Sequence, residues 1–131
     1  MSEHLDRIKG YILDLGLTVV AENESEDLVV VDDEDSGIKQ LVIDCEPPIV
    51  VLEQLIAEVP AEPGGLFERL LQMNNTLVHG AFVLDETAER IFFRDTLQLA
   101  NLDMNELEGS VGALSLALAE YGAELLTYLK K

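Results

Sequence analysis

Apolar positions follow two rhythms along the chain. Leu5, Ile8, Ile12 and Leu15 recur every three or four residues, which puts them on one face of a helix over residues 3–15. Ser2 stands where it would cap the start, and Gly16 where a left-handed residue would end it. The rhythm then shortens. Thr18–Ala21, Leu28–Val31 and Lys39–Asp44 are β-branched or alternating runs. Two polar, turn-forming spacers, Glu22–Asp27 and Asp32–Gly37, separate them. This predicts an antiparallel three-stranded meander.

Residues 49–59 mix the two rhythms. Ile49-Val50-Val51-Leu52 favours a strand, whereas Leu52, Leu55, Ile56 and Val59 have helical spacing. Pro47-Pro48 and Pro60 bound the segment, and we read it as a strand. After Pro63-Gly64-Gly65, Leu66, Leu70, Met73 and Leu77 fall on one face of a second helix over residues 66–77. Phe67 and Leu71 lie beside that face. Gly80–Leu84 and Arg90–Arg94 read as two strands joined by the hairpin Asp85–Glu89.

The final helix has the clearest pattern. Asp103 and Glu106 have the spacing of a capping box. Leu107, Val111, Leu114, Leu118, Tyr121, Leu125 and Tyr128 follow at intervals of 4, 3, 4, 3, 4 and 3. Lys130 and Lys131 suit the negative end of its dipole. Gly109, Ala113 and Ala117 make a second stripe of small residues, suited to close approach. Packing on the chain's own sheet is the expected use of this helix, and a groove shared in a dimer is the alternative. The expected class is therefore α+β. An antiparallel sheet packs with helices in the order α-βββ-(β)-α-ββ-α, within one domain over residues 1–131.

Composition narrows the function. With 26 acids and 8 Lys+Arg, the 131 residues carry a net charge of −18. Such a surface has no excess cations to exchange for counterions on phosphates, which argues against nucleic acid and anionic membranes. The hydrophobic fraction of 48% is too high for a disordered acidic tail. The N-terminal residues do not read as a secretory signal, and no apolar run approaches the roughly 18 residues of a membrane span. A cytoplasmic protein is expected, and the single Cys45 agrees with a reducing compartment.

No motif commits the chain to a reaction. From Asp32, a calcium loop would have Asp32, Glu34, Ser36 and Gly37 in order, but its closing twelfth position falls on Ile43. A solvated hairpin turn is the expected state. Cys45 and His79 are the only plausible nucleophile and base, and Asp44 and Glu46 flank the thiol, which opposes its ionisation. Pro63-Gly64-Gly65 lacks the Lys and Ser/Thr of a phosphate loop. We expect no catalytic residue, metal or cofactor. A cation-binding protein and an uncharacterised enzyme are the alternatives.

The element order in a small acidic chain resembles the class I type III secretion chaperones, the Tir-chaperone-like proteins, and their stand-alone bacterial relatives. The local likeness runs from Leu70-Leu71-Gln72-Met73-Asn74 through Gly80–Asp85, Arg90–Phe93 and Leu97–Leu99 into the final helix. The segment at 49–59 fits the stand-alone relatives better. The resemblance implies a homodimer built on the second helix and neighbouring strands, which binds segments of a client protein and does no chemistry. Leu66, Phe67, Leu70, Leu71, Met73 and Leu77 are the expected dimer or partner surface.

Overall fold

The computed structural model describes residues 3–129. The elements are α1 (Glu3–Asp14), β1 (Thr18–Asn23), β2 (Leu28–Asp33), β3 (Ile38–Glu46), β4 (Ile49–Glu58), α2 (Leu66–Asn74), β5 (Ala81–Leu84), β6 (Arg90–Gln98) and α3 (Met104–Leu129). The sheet is six-stranded and antiparallel, in the order β1-β2-β3-β4-β6-β5. The ambiguous segment is thus a central strand. It pairs with β3 from Val42↔Glu53 to Glu46↔Ile49 and with β6 along its whole length. The proposed Ser2 cap and the Lys130-Lys131 pair lie outside the described residues.

All three helices cover one face of the sheet. Strand positions alternate between faces, and Val29, Val31, Leu41, Ile43, Val50, Leu52, Ile91 and Phe93 are buried with Leu5, Ile8 and Ile12 of α1 in a single core. Leu66, Leu70 and Met73 of α2 join them, as do Leu107, Val111, Leu114, Ala117, Tyr121 and Leu125 of α3. The 4-3 pattern of the final helix therefore packs on the chain's own sheet. Asp103 caps it, its carboxylate accepting the Glu106 N–H at 2.8 Å.

Three polar contacts hold the elements in register, two of them between helix and sheet. Ser110 on α3 donates to Asp95 on β6 at 2.7 Å. Gln54, 4% exposed, accepts the Lys39 N–H at 3.0 Å and donates to the Gly37 carbonyl at 3.3 Å. Asn74 accepts the Phe82 N–H at 2.8 Å and donates to its carbonyl at 3.0 Å. This last pair ends α2 three residues short of the predicted limit. The chain leaves the helix through tight i→i+3 bonds at Asn75, Thr76 and Leu77, and Asn74 is drawn to the edge of β5.

Gly80 enters β5 with φ 74°, and a Cβ there would collide with the Phe93 ring in the core. Gly80→Ala therefore combines a left-handed backbone penalty with overpacking, and should cost about 2–4 kcal/mol. Gly10, in α1, has open space around its Cα, so Gly10→Ala should gain about 0.5–1 kcal/mol. Denaturant melts of the two variants against the parent check both signs.

Candidate protein-binding surfaces

The candidate reactive side chains lie in different environments. Cys45 is buried on β3 among the core side chains. Burial pushes its thiol up to about 11, Asp27 and Asp44 add to the rise, and Arg7 opposes it. His79 is exposed on the α2–β5 loop, beside the first turns of α3. The acidic run forms a short 3-10 turn, Glu34–Ser36, closed by Gly37 at φ 77°. Two of its four carboxylates are occupied locally: Asp33 takes the Ser36 hydroxyl at 2.6 Å, and Asp32 takes the Gln40 N–H at 2.7 Å. Among the described residues no three His, Cys, Asp or Glu side chains converge on a metal position. No described helix is long and apolar enough to cross a membrane.

What the fold does present is apolar surface. The sheet face opposite the helices carries Val30 paired with Val42, and Leu55 paired with Phe92, which pairs in turn with Val83. None of these five belongs to the core or packs against it. Leu55 is 49% exposed, and a groove of about 620 Å³ runs past Lys39, Val42, Leu55, Ile56 and Phe92. Glu53 and Arg94 face each other across this surface at 3.5 Å.

The second helix divides between interior and solvent. Leu66, Leu70 and Met73 point into the core, so their apolar character is used within the chain. Phe67 is half-buried and Leu71 is 72% exposed, whereas Leu77, also half-buried, lies past the end of α2. The open-face residues were missed from sequence as surface candidates. Their only signal is that β2, β3, β4 and β6 carry apolar residues at both parities, more than one covered face needs.

The sheet edges are guarded. At β5 the Asn74 amide already occupies the N–H and C=O of Phe82 that a further strand would need. At β1 the register breaks between Val19 and Ala21, and Glu22 pairs with Lys9 of α1. Face contacts are therefore better supported than strand addition.

Two consequences for Cys45 follow. A thiol reagent at pH 8 should modify it only at the rate of unfolding. A raised thiol pKa stabilises the fold below the unfolded value of about 9 and loses that contribution as pH rises towards 11. The fall in Tm between pH 9 and 11 should thus be smaller in Cys45→Ala than in the parent. Equal falls would show that the thiol is ionised as easily folded as unfolded.

Comparison with known proteins agrees with this architecture. A search of curated protein sequences finds no match. Among solved structures, YbjN from E. coli, a proposed transcription regulator, superposes with TM-score 0.71 at 17% identity, covering 92% of each chain. The ExoU–SpcU complex from the type III secretion system of Pseudomonas aeruginosa gives TM-score 0.67 at 17% identity, over 86% of this chain and 93% of that one. The Yersinia pestis type III secretion chaperone SycH, solved with a fragment of YscM2, gives 0.62 at 15% identity, over 88% and 98%. At these identities the structures share the fold. The CesT_Tir_1 family model matches residues 1–131, and the chain belongs to that family.

Proposed function

We propose that this chain is a non-enzymatic, cytoplasmic protein-binding module: a small homodimeric chaperone or adaptor that holds segments of client proteins. The observation that carries the reading is the uncovered sheet face, where Val30, Val42, Leu55, Phe92 and Val83 stand on the side away from all three helices. Leaving such apolar area in water is unfavourable by about 25 cal/mol per Å², and a bound protein segment would recover it. Family membership and the folds of SpcU and SycH support the same reading. The net charge of −18 supports a protein partner over nucleic acid, because it repels phosphate backbones and attracts basic segments.

For the dimer we propose the outward side of α2, where Leu71 is the exposed apolar residue and Phe67 flanks the core. The buried members of that helix, Leu66, Leu70 and Met73, support α2 from beneath and do not meet a partner.

Two measurements test these parts separately. Light scattering of the pure chain should give twice 14.4 kDa, and Leu71→Glu should halve it without changing the circular dichroism spectrum. A monomeric parent would overturn the dimer. Affinity capture from the native cell should yield one partner at fixed stoichiometry, lost in Phe92→Glu and kept in Leu13→Glu, a change at an exposed leucine on α1. Equal capture by both variants would overturn the open face as the binding surface.

A further inference from the structure

A second apolar trough lies on the helical side, away from the open sheet face. The α2–β5 loop forms one wall with Leu77 and Val78, and α3 forms the other with Gly109, Ala113 and Leu116. Its volume is about 620 Å³. Val78 is 88% exposed and Leu116 is 72% exposed. Neither contributes to the core. The walls are fixed. Arg69 on α2 makes a paired contact with Glu124 on α3 at 2.6 and 2.9 Å, with its guanidinium 5.6 Å from the Tyr121 ring centre. Thr76, at the start of the loop, bonds the Tyr121 hydroxyl.

The dimensions and charge specify the occupant. Gly109, Gly112, Ala113, Leu116 and Glu120 fall within one side of α3, with Leu116 near its centre. From 109 to 120 this side runs about 17 Å, or three helical turns. The small residues at one end let another helix lie close, at the 8–10 Å between axes that side-chain packing allows. The trough continues into a smaller groove that shares His79, Asn105 and Gly109 with it. Five carboxylates line the two, Asp95, Asp103, Glu106, Glu108 and Glu120, and no lysine or arginine does. A second copy of this chain would set its own carboxylates against these.

We infer that this trough binds a short amphipathic helix with basic flanks, presented by a partner protein. Apolar side chains at i, i+3/i+4 and i+7 would seat against Val78, Ala113 and Leu116, and lysines or arginines would reach the acidic rim. This inference rests on the protein-binding reading but places recognition at a different surface.

The test uses a fluorescein-labelled leucine/lysine peptide of helical periodicity, a scrambled peptide of the same composition, and a leucine/glutamate peptide of the same pattern. Binding is read by anisotropy at several salt concentrations. The patterned basic peptide should bind at least tenfold more tightly than the scrambled one, and the acidic one should not bind. Leu116→Glu is decisive because its two effects oppose. General attraction to acid would strengthen binding, whereas loss of the apolar seat should weaken it at least tenfold. Val78→Ser should weaken it in the same direction, and Glu108→Gln with Glu120→Gln should weaken it and flatten the salt dependence. Equal binding of patterned and scrambled peptides, or unchanged or tighter binding by Leu116→Glu, would overturn the inference. Phe92→Glu should leave peptide binding unchanged. Absence of patterned-peptide binding, with Phe92-dependent partner capture retained, would refute this site alone.

Discussion

Three helices lie on one side of a six-stranded sheet, and every large buried cluster in the described residues gathers between those layers. The opposite face has no layer of its own. A sheet can stand in water on one side if its outward residues are polar. Here β2, β3, β4 and β6 instead place Val30, Val42, Leu55 and Phe92 outward, with Val83 beside them on β5. The sequence is that of a sheet to be covered on both faces, and the chain covers only one. The proposed client surface is read from that imbalance, whereas the proposed dimer is read from the outward side of α2.

The covered side is specified by more than apolar burial. Hydrophobic contact has no direction, so helices resting on a sheet need polar contacts to fix their position. Ser110 to Asp95 sets α3 against β6, Asn74 to Phe82 sets the end of α2 against β5, and Gln54 ties β4 to the start of β3. Each satisfies polar atoms that burial would otherwise leave costly. With Arg69 and Glu124, they hold α2, its following loop and α3 as fixed walls. A binding surface made of fixed walls loses little entropy when occupied.

Much of this was legible in the sequence. The helical spacing of Leu5, Ile8 and Ile12, and the 4-3 series from Leu107 to Leu125, identified α1 and α3 because their faces are amphipathic. The class and element order followed. The helix boundary at Asn74 was not legible, because a bond to Phe82, distant in sequence, decides it. The strand β6 runs to Gln98, beyond the predicted Arg94, because its second half is held by pairing with β4 and not by apolar alternation. Nothing in the periodicity marks Gln54, which is a buried tie. The surface expected on α2 mixes core and exterior: Leu66 and Leu71 are the same chemistry five residues apart, and only packing assigns one inward and one outward. Val42 and Ile43 posed the same problem on β3, where alternation shows two faces but not which one the helices cover.

The central claim is that protein covers the open face. Methyl relaxation by a soluble paramagnetic agent measures that, in the isolated chain and in its complex with the captured partner. The account predicts strong relaxation at Val42 and Leu55 in the isolated chain and loss of it in the complex. Ile43 and Leu52, on the covered face, should be shielded in both. Shielding of Val42 and Leu55 already in the isolated chain, or their continued exposure in the complex, would contradict it.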